Sequence, residues 1–231
     1  MDSSEICDWL TKRLARLPLI SYPFDVAALP VNGIYFFYEK GELSVHGDHL
    51  PRIVRIGTHR DGNFRSRISE HYLLDDKKMA FGRNQSAPHD RSIFRKNIGR
   101  VILSKSNDPY FPVWEIDFMS GENRRSYGHL RDIEKERQIE HEVTHVLRDT
   151  FSFRFVAIED QQQRLGVDGL ERKLIGTVAQ CAICGPSEGW LGKHSPIAKI
   201  RSQGLWQVQH LKCAPLSGDA RSSLAAILDL P

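Results

Sequence analysis

The chain has 231 residues, 40% hydrophobic and 26% charged, which suits a soluble domain with a real core, or one domain carrying an insertion. No apolar run approaches the roughly 18 residues of a membrane span, and the acidic start MDSSEICDW lacks the basic region of a signal peptide, so a cytoplasmic protein without a membrane partner is expected. Four cysteines point to reduced thiols or a metal site rather than a disulfide framework, and the net charge is only +3.

In chain order, residues 4–16 place Ile6, Trp9, Leu10 and Leu14 on one stripe, an amphipathic helix that ends before Pro18. After a proline-spaced connection, GIYFFYEKGE reads as an apolar, aromatic strand that breaks at Gly41. A second strand, RIVRIGTH, follows Pro51, and NFRSRISEHYLL then spaces Phe64, Ile68 and Tyr72 as a helix.

Between Lys77 and Ser106 the pattern is looser and the charge is not. Lys77, Lys78, Arg83, Arg91, Arg95, Lys96, Arg100 and Lys105 stand against Asp90, so this segment carries +7 and the rest of the chain −4. Such a block is either a solvated helix face or a polyanion-binding surface, with Arg95 and Lys96 as candidate phosphate contacts. SIFRKNIGRVIL reads as a helix, and the aromatic DPYFPVWEIDF could pair as a strand. A charged helix is expected over 132–149, a strand over FSFRFVAIED, a helix over LERKLIGTVAQ capped by Asp168, and a terminal helix near 218–229.

Specific residues sit at the joints of this pattern. Gly33-Ile34-Tyr35 lies in the first strand, Arg55-Ile56-Gly57 ends the second, and Arg67 and His71 lie four apart on the following helix. Glu171 opens the helix after the third strand. In that order the residues resemble the GIY-YIG nuclease family, over about 30–75 and 150–180, and the tails WLGKHSP and GLWQVQH are similar to its restriction-type members. The resemblance implies an α/β (α+β) fold: a small, mostly antiparallel three-stranded sheet flanked by helices. The parts would be an N-terminal helix and connection (1–29), a nuclease core (30–185) with a basic insertion at about 76–149, and a C-terminal segment (186–231).

It also implies metal-dependent hydrolysis of double-stranded DNA of the restriction or defence kind, and leaves a homodimer open. Carried over, Glu171 holds a single Mg²⁺ or Mn²⁺ ion, Tyr35 positions or deprotonates the water, Arg67 stabilises the phosphate and His71 orients the base or meets phosphate. The tyrosine of the second motif is Arg55 here, a residue that binds phosphate but is no base near neutral pH. His59 has the intrinsic pKa for proton transfer, and Arg55 and Arg65 join the candidate DNA contacts. The same substitution motivates a rival reading, a non-cleaving DNA-binding protein of this fold.

Each assignment has a structural alternative: Tyr35 as a sheet aromatic, His71 as a packed imidazole, and Glu171 as the third residue of an Asp168-x-x-Glu171 capping box. Two zinc patterns compete as well. His141-Glu142-Val-Thr-His145 has the HExxH form of a metallopeptidase, with Glu159 available as a third ligand. Cys181-x-x-Cys184 followed by His210-x-x-Cys213 offers two ligand pairs for a structural zinc.

Overall fold

Residues 33–38 are apolar without interruption, the pattern of a strand covered on both faces, and that strand becomes the centre of the sheet. The computed structural model describes residues 2–229. Its elements are α1 (Ser3–Leu14), β1 (Ile20–Ser21), β2 (Gly33–Leu43), β3 (Pro51–Thr58), α2 (Phe64–Tyr72), α3 (Pro88–Arg91), α4 (Ile93–Lys105) and α5 (Phe111–Glu115). There follow α6 (Gly121–Tyr127), α7 (Ile133–Thr150), β4 (Phe151–Ala157), α8 (Gln161–Leu165), α9 (Leu170–Ala179), α10 (Ala198–Gln203) and α11 (Gly218–Leu228). The sheet runs β1-β4-β2-β3, antiparallel throughout. The expected α+β class with helices flanking an antiparallel sheet is what the chain adopts; the fourth strand is the two-residue β1, drawn from the proline-spaced connection.

The chain divides into two units. Among the described residues the first comprises 2–65, 150–193 and 199–229, and holds the sheet. On one face Ile34, Phe36 and Tyr38 of β2 join Ile6, Leu10 and Leu14 of α1 and Leu174, Ile175 and Val178 of α9 in a buried core. The other face is aromatic: Phe37 lies 5.7 Å from Phe153, Tyr35 5.3 Å from Phe37, and Phe64 5.8 Å from Phe155, ring centre to ring centre. The pairing shifts between Phe37 and Tyr38, whose partners are Arg55 and Ile53, leaving Val54 as an extra residue. That bulge turns both Ile53 and Ile56 to the core although they are three apart.

The outer edge of β3 is covered by the chain's later segment. Trp206 N–H donates to Val54 O (2.8 Å), Ile56 N–H to Gln207 Oε1 (2.8 Å), and Trp206 Nε1 to Glu39 Oε2 (2.8 Å). Trp190 and Trp206, from the two Trp-containing tails, are buried and meet edge to face at 5.5 Å. An edge strand that would otherwise offer free backbone groups is thereby paired.

The second unit comprises residues 66–149 and 194–198. The aromatic stretch expected as a strand forms the short helix α5 instead. Pro112 stands in its first turn, where a missing N–H is harmless, and Trp114 drives into the interior, its Nε1 donating to Lys96 O (3.1 Å). A Cβ on Gly99 would fall 2.2 Å from the Trp114 ring, so glycine is what allows α4 to receive it. His89 stacks on the same indole at 3.7 Å.

The basic block is corrected by this unit. Arg95 is fully buried: its Nε reaches Glu140 Oε2 (3.0 Å), Nη1 reaches His71 O (3.0 Å) and Nη2 reaches Thr144 Oγ1 (2.7 Å). Lys96 is buried too, its Nζ on the carbonyls of Glu115 (3.0 Å) and Ile116 (3.2 Å). Neither can meet a DNA phosphate, because both charges are taken up by internal acceptors. Lys77, Lys78, Arg83, Arg91 and Lys105 remain exposed.

Burial pushes the Glu140 carboxyl up, but Arg95 and His89 outweigh it and hold its pKa down to about 2. Truncating Arg95 to alanine leaves that carboxylate buried and alone, and urea denaturation at pH 7 should show a loss of about 3–5 kcal/mol. A carboxyl with a lowered folded pKa stabilises above its unfolded value and stops doing so below its folded one. The wild-type protein should therefore lose stability as pH falls from about 4.5 towards 2, and Glu140→Gln should flatten that loss.

Candidate active site

The GIY and IG segments meet across the β2–β3 pair. Tyr35 is the register partner of Gly57, and a Cβ built on Gly57 would lie 2.3 Å from the tyrosine hydroxyl. Only a residue without a side chain lets the Tyr35 ring lie over the β3 backbone, so the glycine of the second motif is there for the tyrosine of the first. Gly33 is equally constrained, since its Cβ would approach Val156 O to 2.7 Å. Tyr35 itself is 2% exposed and packs on Phe37 and Phe64.

Glu171 comes to the same end of the hairpin. It lies in the first turn of α9, part-exposed, and its Oε1 accepts the N–H of Thr58 (3.1 Å), the residue after Gly57. The expected capping box does not form: the N-cap is Gly169, which makes no side-chain cap bond, so Glu171 faces the sheet rather than its own helix terminus. Thr58 Oγ1 in turn donates to Gly33 O (2.6 Å), closing the loop between the two motifs.

Arg164, which no sequence pattern singled out, stitches the surroundings. It is 1% exposed, and its Nη1 donates to His59 O (2.6 Å) and Thr58 Oγ1 (3.2 Å), while Nη2 reaches Asn32 Oδ1 (3.2 Å) and Asp61. Within the polar run QQQRL it looks like any surface arginine, and only the fold buries it. Through its backbone oxygen it fixes His59, which stands part-exposed just past β3.

The remaining candidates are placed as follows. Arg55 is buried, with Nη1 on Trp206 O (2.6 Å), so the position of the second-motif tyrosine ties β3 to the later segment rather than facing DNA. Arg65 is exposed, with Nε on Leu29 O (2.7 Å). Helix α2 passes at Ser66 into the second unit, where Arg67 is part-exposed and bonds Arg91 O (2.7 Å) and Glu70 (3.2 Å). His71 is fully buried there, Nδ1 2.8 Å from Ser92 Oγ and edge-on to Phe94 at 5.6 Å, a position that orients α2 rather than reaching a ligand.

Among the described residues, a single group of three or more ligand side chains gathers closely enough for a metal: Cys7, His46, Cys181 and Cys184. The pairing of Cys181 and Cys184 with His210 and Cys213 is thus corrected; His210 and Cys213 face each other at 3.7 Å elsewhere. Cys7 passes in the sequence for one more apolar residue on the α1 stripe, and His46 sits in a connection, so neither carried a signal. His141, Glu142 and His145 lie exposed on α7, with His145 turned to Asp149 (3.1 Å), and Glu159 binds Asn32 (2.8 Å). HExxH has no third ligand among the described residues.

Glu171 belongs to no such group. An ion there would have one protein carboxylate and fill its shell with water and phosphate oxygens. That suits Mg²⁺, a hard cation that keeps most of its waters, and the residues fit it.

A fold of helices on an antiparallel sheet, with the tyrosine of one strand over the glycine of the next and a helical glutamate beside them, defines a nuclease-type domain. A family model for the GIY-YIG domain matches residues 7–219, and the chain belongs to the GIY-YIG family. Membership implies a nuclease acting on DNA. No curated protein and no solved structure matches the chain.

Gly57→Ala should therefore damage site and stability together. The added methyl must displace the Tyr35 ring, an overpacking that typically costs about 1–3 kcal/mol. Thermal denaturation should register it, whereas Gly62→Ala, at a position with open space around it but φ +74°, should show only the milder strain of a loop.

Proposed function

We propose that the chain is a metal-dependent endonuclease that hydrolyses phosphodiester bonds of double-stranded DNA. The observation that carries this reading is the hydrogen bond from Thr58 N–H to Glu171, which sets the carboxylate beside Gly57 and Tyr35. Glu171 holds the cation, Mg²⁺ or Mn²⁺, which when bound neutralises charge on the phosphate oxygens. Thr58 orients that carboxylate. Tyr35 positions the attacking water, and His59, the nearest group past β3 with an intrinsic pKa near neutrality, accepts its proton. The restriction-like tails extend the reading to a defence role in the cytosol.

A second reading, a protein that holds DNA without cutting it, is favoured by Arg55, whose guanidinium stands buried on Trp206 O where the family pattern has a tyrosine. A plasmid-nicking assay with Mg²⁺ separates the two. In Glu171→Gln the amide oxygen still accepts from Thr58, so stability should change by less than about 1 kcal/mol. DNA binding should persist. Cleavage should fall by orders of magnitude, since each 1.36 kcal/mol lost from transition-state stabilisation is about tenfold in rate. A Glu171→Gln protein that nicks at near wild-type rate would sink the assignment.

Phosphate contacts are assigned to the exposed cations of the basic block. Lys77, Lys78 and Arg91 line one recess with Phe81 and Gln85. Replacing Lys77 and Lys78 by alanine should lower the slope of log affinity against log salt by roughly 0.9 for each phosphate that is no longer neutralised. An unchanged slope, measured by titration of duplex DNA across a salt series, would remove these residues from the interface.

A further inference from the structure

Three thiols and an imidazole converge at a place the catalytic reading does not use. Cys7 lies on the buried face of α1, His46 in the connection between β2 and β3, and Cys181 and Cys184 just beyond α9. One ligand atom from each lies within 4.8 Å of all the others, with Cys7 Sγ 3.8 Å from Cys184 Sγ and His46 Nε2 3.2 Å from Cys181 Sγ. A tetrahedral ion with metal–sulfur bonds of about 2.3 Å sets its sulfurs about 3.8 Å apart, so the spacing is that of a single ion's ligand shell. A cluster with bridging sulfides of its own would spread the four atoms further. Free thiols, by contrast, are weak hydrogen-bonding groups, and nothing in ordinary packing calls for four ligand groups from three distant parts of the chain to face one point.

A second observation supports it. His46 is 7% exposed, and its other ring nitrogen, Nδ1, faces Asp8 Oδ1 at 3.8 Å, the residue after Cys7. A carboxylate on the far side of a histidine ring is how ligating imidazoles are aimed, leaving Nε2 for the metal. Ser4 Oγ accepts the N–H of Ala182 (3.2 Å), joining the Cys-x-x-Cys turn to the start of α1.

We infer that Cys7, His46, Cys181 and Cys184 form a closed, tetrahedral structural zinc site that clamps α1 and the β2–β3 connection to the end of α9. Three thiolates and an imidazole are soft donors that select Zn²⁺ over Mg²⁺, and four protein ligands leave no open position for chemistry. Binding displaces the thiol protons to solvent, one dication against three thiolates. The clamp is independent of the catalytic assignment, and its test reads no cleavage.

Elemental analysis of protein purified without chelators should find one zinc per chain. Cys184→Ser and His46→Gln should each lose it, whereas His210→Gln with Cys213→Ser, and His141→Gln with His145→Gln, should keep it. Should the ligand variants fail to fold, Co²⁺ added to the reduced, zinc-stripped wild-type chain decides the matter. Thiolate-to-cobalt charge transfer with the intense visible bands of a tetrahedral ion is expected. Sub-stoichiometric zinc with no such spectrum, or a Cys7–Cys184 disulfide in the purified protein, would overturn the site.

Discussion

The register of β2 between β3 and β4 is the constraint from which the rest of the first unit follows. Because side chains alternate along a strand, a slip of one residue would exchange the two faces of the sheet, sending Tyr35 and Phe37 into the core of α1 and α9 and Ile34 and Phe36 to the aromatic side. Both faces are buried, so neither set of residues tolerates the exchange. The register is further pinned by Gly57, the position opposite Tyr35 where the backbone is bare, and by the bulge at Val54, which corrects the facing of β3 once past the site. Glu171 then needs only the last N–H of that strand to be located.

Buried charge is the second organising feature, and it is handled the same way in each unit. Arg52 pairs with Glu42, and Arg164 with a ring of oxygens, in the first unit. Arg95 with Glu140, and Arg131 with Glu136, do so in the second. An arginine fork satisfies several acceptors at once, which makes its desolvation tolerable, and the geometry then admits few alternative packings. In this way α4 and α7 are held in one arrangement by the Arg95 hydrogen bonds to Glu140 and Thr144. The consequence is that part of a strongly basic segment is withdrawn from the surface, which leaves fewer of its cations exposed.

The sequence by itself determined the family and the order of the core elements. Strand and helix periods were legible in GIYFFYEKGE, RIVRIGTH and LERKLIGTVAQ, and the motif residues at their joints marked a GIY-YIG domain without reference to any tertiary neighbour. Those are local properties, set by alternation, glycine positions and residue type within a short span of chain. The tertiary structure decided everything that depends on which distant residues meet. It turned DPYFPVWEIDF into a helix because Trp114 had a socket at Gly99, and it drew Arg95 and Lys96 inward because Glu140 and two carbonyls awaited them. It gave Cys181 and Cys184 the partners Cys7 and His46 rather than His210 and Cys213, since ligand sets are fixed by proximity in space and a chain carries no record of that in its spacing.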